Sequence, residues 1–167
     1  IEAEGEARED LEWWDETLRG KAELSLVTKP VTGSIVTDAS DLNLGYVISM
    51  DPEEGRRSKQ RMERSLDTDI PEGHINQKEI EAIWKALQEN QEELRGRHLV
   101  WYSDSMTALA AIRRQGTQKL SKGAWELTKA VLDLAEANRI SLLAKHVPGR
   151  LNGAADALSR PEDERTE

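Results

Sequence analysis

The order of strand-like and helix-like segments along this chain limits the folds that it can adopt. Two strand-like segments, GSIVTDAS (33–40) and LGYVISM (44–50), are joined by a turn-rich stretch, which predicts an antiparallel hairpin. The later strand-like segments HLVWYSD (98–104) and RISLLAKHV (139–147) each follow a helical segment, and such crossovers favour parallel pairing. The chain therefore predicts an α/β fold with a mixed sheet.

Apolar residues at helical spacing indicate the helices that cover this sheet. A short lead-in helix is predicted in DLEWWDETLRG (10–20), and a longer helix begins at Asn76 and continues to about Leu94. Three more helices are predicted in SMTALAAIRRQG (105–116), AWELTKAVLDLAEAN (124–138) and NGAADALSR (152–160). The charged segment 51–73 is interrupted by Pro and Gly, so it is either a loop or a poorly formed third strand.

Composition excludes several classes of protein. The 167 residues suffice for one domain, and no apolar run approaches the roughly 20 residues that a membrane span needs. Cysteine is absent, which excludes disulfides and thiolate metal sites and fits a reducing compartment. No signal-peptide pattern is present, so we expect an intracellular protein of the cytoplasm or nucleus.

The formal net charge of −9 argues mildly against a nucleic-acid partner, but much of the acid is terminal. We expect 1–30 to form an acidic tail and a lead-in helix, 31–160 to form the main domain, and 161–167 to be a disordered tail. The interior is closer to neutral, with a basic stretch at 113–122. Net charge therefore does not decide the class of partner.

Four carboxylates occupy notable places in this pattern. Asp38 lies in the first strand, Glu79 in the first turn of the main helix, Asp104 at the end of the central strand, and Asp156 in the last helix. Each has a structural alternative: an Asx-turn for Asp38, a capping box with Asn76 for Glu79, a helix N-cap for Asp104, and an exposed helix acid for Asp156.

Considered together, the four acids favour a metal site. If the first and central strands are neighbours, Asp38 and Asp104 come close, and carboxylates at such distances repel by roughly 1–4 kcal/mol per pair. Cations relieve this repulsion, and oxygen ligands without Cys or paired His select a hard ion such as Mg²⁺ or Mn²⁺. Two such ions about 3.5–4 Å apart are a standard device for cleaving phosphodiesters.

Four sequence blocks, in this order, resemble the motifs of the RNase H domain of reverse transcriptases. The blocks are TDAS, HINQKEIEAIWKAL, WYSDS and KHVPGRLNGAADALSR. They are most similar to gypsy-like and DIRS-type retroelements, and DLEWWDETL resembles the connection that follows the polymerase in DIRS-type polyproteins. The resemblance covers about Leu11 to Arg160 and is weakest between Asp51 and Gly73. It implies an RNase H-like fold, with a mixed five-stranded sheet flanked by helices.

The resemblance also implies roles for individual residues. Asp38 would bridge two Mg²⁺ ions, with Mn²⁺ as a possible substitute. Glu79 and Asp104 would help to hold the ion on the leaving-group side, and Asp156 would hold the ion that activates water. His146 would protonate the leaving oxygen or assist product release; the alternative is an ordinary exposed histidine.

Candidate substrate contacts follow from the same resemblance. Asn76 matches a position that touches the minor groove of the hybrid, although it could equally be only the helix N-cap. The neighbouring Ile75 departs from the polar residue often found there.

Further candidates lie outside this position. Gln77 and Ser105 could reach the nucleic-acid backbone. Arg113 and Arg114, in the basic stretch 113–122, are candidate phosphate contacts, with a solvated charged loop as the alternative. The basic helix that cellular enzymes insert here is missing.

The predicted activity is endonucleolytic hydrolysis of the RNA strand of an RNA–DNA hybrid during reverse transcription, leaving 5′-phosphate and 3′-hydroxyl ends. The expected partners are the hybrid and a polymerase domain of the same polyprotein, with the isolated domain monomeric. One alternative is a catalytically silent, domesticated module kept for binding or assembly. Another is a nuclease of the same fold that acts on DNA.

Overall fold

The computed structural model describes residues 5–19, 30–51, 60–71, 74–116 and 119–159. The predicted tail 161–167 and the first four residues of the acidic segment lie outside the described residues. Among the described residues, five strands form one sheet: β1 (Gly33–Ala39), β2 (Asn43–Met50), β3 (Gln60–Asp67), β4 (His98–Ser103) and β5 (Ser141–His146).

The sheet is mixed, as the segment order predicted. Its strand order is β3-β2-β1-β4-β5. The pairs β1–β2 and β2–β3 are antiparallel, whereas β1–β4 and β4–β5 are parallel. The alternative left open for segment 51–73 is resolved in favour of a strand, because Gln60–Asp67 pairs with β2 along its whole length. This strand lies at the sheet edge, where charged side chains deter pairing with another chain.

Helices cover this sheet and confirm the predicted elements with small shifts of their ends. They are α1 (Glu6–Arg19), α2 (Ile75–Glu89), α3 (Gln91–Leu94), α4 (Met106–Arg113), α5 (Lys122–Ala137) and α6 (Gly153–Ser159). The predicted single helix from Asn76 to Leu94 is interrupted at Asn90, whose buried amide donates to the Ala86 carbonyl and to the Tyr46 hydroxyl. Within the described residues, every helix is too short or too polar to traverse a bilayer.

The core lies between the sheet and helices α2, α4 and α5. Ile35 and Trp101 of the sheet are fully buried, as are Ile80, Leu109 and Val131 of the three helices. Helix α6 packs against β1 and β2. Helix α6 covers Gly45 of β2, which is three residues from the core residue Ile48. Because successive strand residues alternate between the two faces, α6 lies on the face of the sheet opposite to the core.

Candidate metal centre

Asp38 and Asp104 come together because β1 and β4 are parallel neighbours. The last paired residues of the two strands are Val36 and Tyr102, and each acid lies two residues further along its strand. Asp38 is nearly buried, with 8% of its surface exposed. Asp104 is half-buried. The predicted proximity of the two carboxylates is therefore present, and it follows from the register of the sheet.

Glu79 reaches the same place from α2. It is the fifth residue of that helix and only 5% exposed. Asp38, Glu79 and Asp104 each offer a carboxylate oxygen, and these oxygens all lie within 4.8 Å of one another. The Ser103 hydroxyl lies 3.4 Å from Glu79 Oε2 and accepts a hydrogen bond from the Ser105 amide. Three acids from distant segments thus form one cluster, which we call the acid cluster.

Asp156 lies beside this cluster on α6. It is half-buried, and its charge raises the pKa of Asp38. Its oxygens are not among those that lie within 4.8 Å of one another. The four predicted acids are therefore close enough to interact, with Asp156 at the margin.

Two of the structural alternatives for these acids are wrong. The N-cap of α2 is His74, one residue before the helix begins, so Asn76 is neither the N-cap nor part of a capping box with Glu79. The N-cap of α4 is Ser105, whose hydroxyl accepts from the Ala108 amide, so Asp104 does not cap that helix. Both acids are left without the local roles that could have explained them.

The protonation of the cluster reflects its burial. Desolvation, reinforced by the charges of Asp38 and Asp104, raises the pKa of Glu79 to about 8. Burial likewise raises the pKa of Asp38, and the charges of Asp104 and Asp156 add to this rise. At neutral pH Glu79 therefore mainly keeps its proton, and ionising all three carboxylates has a free-energy cost that a bound cation would offset.

Asp38 is held by two side chains that the sequence analysis did not identify as site residues. Asn152 Nδ2 donates to Asp38 Oδ1 and to the Thr37 carbonyl, both at 3.0 Å. The Ser159 hydroxyl lies 2.6 Å from Asp38 Oδ2. Both residues are 1% exposed. Both residues belong to the block KHVPGRLNGAADALSR, on either side of Asp156, and this was the signal that the sequence offered.

Glycine allows α6 to approach the sheet this closely. A Cβ at Gly45, which pairs with Asp38 across the hairpin, would meet the Ala155 carbonyl and would lie 2.8 Å from the Ser159 amide nitrogen. The turn before α6 is similarly close to the cluster, since a Cβ at Gly149 would lie 2.9 Å from Asp104 Oδ2. Small residues at these two positions therefore keep the acids together.

Replacing Gly45 by alanine is expected to push α6 from the sheet and to lower the free energy of unfolding by about 1–3 kcal/mol. Urea unfolding monitored by tryptophan fluorescence would measure the change. Gly153→Ala is the matched control, because a Cβ at Gly153 would have no neighbour within 4 Å. The control should be neutral or slightly stabilising. Equal effects of the two substitutions would contradict the close approach at Gly45.

His146 lies at the same end of the sheet as the acids. It is the last residue of β5, pairs with Ser103 in register, and is exposed. Val147 and Pro148 follow outside any strand or helix, and a short 3-10 helix, Gly149–Leu151, comes next. An exposed imidazole beside the rim of the acid cluster is accessible to a bound substrate.

The candidate contacts on α2 line a cavity of about 350 Å³. Asn76 is exposed, and Gln77 Nε2 donates to the Ser121 hydroxyl at 2.9 Å, which ties α2 to the start of α5. Thr107 and Lys119 line the same cavity. Ser105, which caps α4, lies next to Asp104 in the chain. The cavity thus lies between the first turns of α2 and α4 and the start of α5, and none of the clustered acids lines it.

Arg113 has a different environment from the one predicted. Its Nε and Nη2 both donate to the Ala144 carbonyl, at 2.9 and 2.7 Å, which ties the end of α4 to β5. Helix α4 begins directly after the acid cluster, and Arg113 is its last residue, about 10 Å further along at 1.5 Å per residue. The guanidinium is thus engaged within the fold. Arg114 is exposed at the C-cap of α4.

Comparison with known proteins identifies the fold. No protein-family model and no curated protein matches this chain. RNase H1 from the halophilic archaeon Halobacterium salinarum aligns with 75% of this chain and 92% of its own, at 18% identity and a TM-score of 0.56. LC11-RNase H1, isolated from compost and solved in complex with RNA/DNA hybrid, aligns over the same shares at 19% identity and a TM-score of 0.56.

A viral structure also matches. The foamy viral protease-reverse transcriptase, in complex with RNA/DNA hybrid, aligns with 81% of this chain and 21% of its own, at 15% identity and a TM-score of 0.54. At these identities the likeness concerns the fold. The chain has an RNase H-like fold, and the predicted mixed five-stranded sheet flanked by helices is confirmed.

Proposed function

We propose that this chain is a metal-dependent endonuclease that hydrolyses the RNA strand of RNA–DNA hybrids. The observation that carries the proposal is the acid cluster, in which Asp38, Glu79 and Asp104 bring carboxylate oxygens within 4.8 Å of one another. The RNase H-like fold supports the same reaction, since structural neighbours are RNase H1 enzymes, one of which was solved with RNA/DNA hybrid. Fold alone does not fix function, so the cluster is the stronger support.

The residues of the cluster fit divalent cations of the Mg²⁺ type. Their donors are carboxylate oxygens, which Mg²⁺ and Mn²⁺ prefer. The buried Asn152 Oδ1, beside Asp38, has no hydrogen-bond donor among the described residues, and a cation-bound water would supply one. We propose two Mg²⁺ ions held by Asp38, Glu79, Asp104 and Asp156, with Asp38 shared. When bound, such ions lower the pKa of water and stabilise charge on the phosphate.

The chain's own groups would perform the remaining work. Asn152 and Ser159 hold both oxygens of Asp38, so the carboxylate is oriented before substrate arrives. His146, exposed at the end of β5, would donate a proton to the departing 3′-oxygen or assist product release. These assignments give 5′-phosphate and 3′-hydroxyl products.

Substrate recognition is proposed for the cavity beside α2. Asn76 and Gln77 present amides there, with Ser105 nearby, and side-chain amides suit the 2′-hydroxyls and base edges of a wide minor groove. Arg114 remains a candidate phosphate contact. Arg113 also remains a candidate phosphate contact, since the residue is exposed although its Nε and Nη2 donate to the Ala144 carbonyl.

The biological setting is proposed from the resemblance of the motifs. Residues 31–160 would be the catalytic domain of a retroelement polyprotein of the gypsy-like or DIRS type, acting in the cytoplasm or nucleus. Residues 1–30, including α1, would connect it to a preceding polymerase domain. The exposed Leu11, Trp13 and Trp14 of α1 are compatible with such a connection. The isolated domain would be monomeric.

Cleavage of labelled substrates tests the proposal. With Mg²⁺ we expect cleavage of the RNA strand in an RNA–DNA hybrid and not of duplex RNA or duplex DNA, and we expect EDTA to abolish it. Cleavage of duplex DNA instead would indicate a DNA nuclease of the same fold. Binding of hybrid without cleavage in Mg²⁺ or Mn²⁺ would indicate the silent module and would overturn the proposal.

A further inference from the structure

The last helix is attached to the sheet by serine hydroxyls. Ser65 on β3 donates to the Leu158 carbonyl at 2.6 Å, and Ser40, after β1, donates to the Ser159 carbonyl. Ser159 itself reaches back to Asp38. Helix α6 has only seven residues, too few to be stable alone, so these bonds fix its end against the sheet.

Ser159 differs from the other two serines because its hydroxyl touches the acid cluster. Its Oγ lies 2.6 Å from Asp38 Oδ2 and 2.9 Å from the Asp156 carbonyl oxygen. A hydroxyl has one hydrogen to donate, and the shorter contact is to the carboxylate. A bond from a neutral donor to an ionised acceptor is also the stronger of the two. Ser159 thus connects the helix that carries Asp156 to the carboxylate of Asp38.

The hydrogen bond also bears on the charge of Asp38. Burial raises the pKa of this carboxyl, and the bond from Ser159 is the main influence that lowers it. Asn152 makes a further, smaller contribution at the other oxygen. Losing the hydroxyl would leave a nearly buried carboxylate with one donor fewer, and it would free the carboxylate to rotate.

We propose that Ser159 is a positioning residue that holds the Asp38 carboxylate in the orientation required for cation binding. The inference rests on the proposed function, because it assumes that Asp38 is a ligand. Hydrogen bonds to a ligating carboxylate typically contribute 10–100-fold to metal affinity or activity. A residue that only attached α6 would affect the free energy of unfolding and not the affinity for the cation.

Mg²⁺ affinity, measured by calorimetry at pH 7.5 on the full chain, separates these roles. Ser159→Ala is expected to raise the Kd for Mg²⁺ about 10–100-fold. Ser159→Cys, which keeps a weaker donor, should give an intermediate Kd. Ser65→Ala is the matched control, because it removes a bond of the same length that ends on the Leu158 carbonyl of α6. The control should lower the melting temperature and change the Kd less than about threefold.

Each other outcome has a definite meaning. If Ser159→Ala leaves the Kd of the wild type unchanged, or if Ser65→Ala raises it equally, Ser159 only anchors the helix and the inference is overturned while the proposed function stands. If the wild type itself binds no Mg²⁺ and does not cleave hybrid, the proposed function has failed, and the inference fails with it.

Discussion

Asp104→Asn is expected to slow hybrid cleavage by about a thousandfold or more, because several kcal/mol of transition-state stabilisation depend on correctly held cations. The substitution preserves the shape of the side chain and removes one of the three clustered charges. Asp104 is half-buried and does not cap α4, so the change should not disturb the fold. Single-turnover cleavage of a labelled hybrid at saturating Mg²⁺ would measure the rate.

The same variant should be more stable than the wild type without divalent cations. The charge of Asp104 raises the pKa of both Asp38 and Glu79, and its removal relieves repulsion on the order of 1 kcal/mol. Lost activity with gained stability would separate a functional defect from misfolding. Asp133→Asn, at an exposed acid of α5 that pairs with Lys129, is the control and should change neither quantity. Full activity in Asp104→Asn would refute its assignment as a ligand.

Stability of the cation-free protein should fall as pH rises from about 4.5 to about 8. The pKa of Glu79 is raised from its ordinary value of 4.5 to about 8 in the folded state, mainly by burial. The folded state therefore binds the proton more tightly than the unfolded state, and this stabilisation is present at low pH. Integrated over the full titration, the loss amounts to about 5 kcal/mol.

Urea unfolding in EDTA at pH 5, 6.5 and 8 would test this linkage. Glu79→Gln lacks the titrating group, so its stability should vary less with pH than that of the wild type. Added Mg²⁺ should stabilise the wild type most at pH 8, because the cation replaces the proton on the carboxylates. Parallel pH profiles for wild type and Glu79→Gln would show that the environment of Glu79 is not the one described.

Much of this fold could be predicted because its strands and helices have regular patterns. Strand β3 is an exception. It lies at the sheet edge, with Met62 and Leu66 only half-buried among charged residues, so no apolar alternation marked it. The burial of charged side chains on α2 was also not predictable from the sequence. Lys78 is fully buried, and its ammonium donates to the Asp41 carbonyl. The Glu81 carboxylate accepts from the Thr68 hydroxyl. Both contacts are with distant loops, which the spacing of apolar residues in a helix does not predict.

The candidate site also has residues that the sequence predicts and residues that it does not. The acids were predictable because they follow strands or fall in motif blocks, and parallel pairing brings Asp38 and Asp104 together. The partners of Asp38 were not predictable, since Asn152 and Ser159 are more than a hundred residues away in the chain. The bond of Arg113 to the Ala144 carbonyl was not predictable either, because charge density alone does not indicate which carbonyl a guanidinium will contact.

The bond between Arg113 and Ala144 also occupies part of the free edge of the sheet. The amides of Ser141 and Val147 donate to carbonyls on the β4 side. Backbone groups of successive strand residues point to alternate sides, and Ala144 is three residues from each of these two. The Ala144 carbonyl therefore faces the free edge of β5. An unpaired sheet edge of this kind can pair with a strand of another molecule and lead to aggregation. Because the guanidinium of Arg113 donates twice to the Ala144 carbonyl, the free edge of β5 offers one acceptor fewer to an incoming strand.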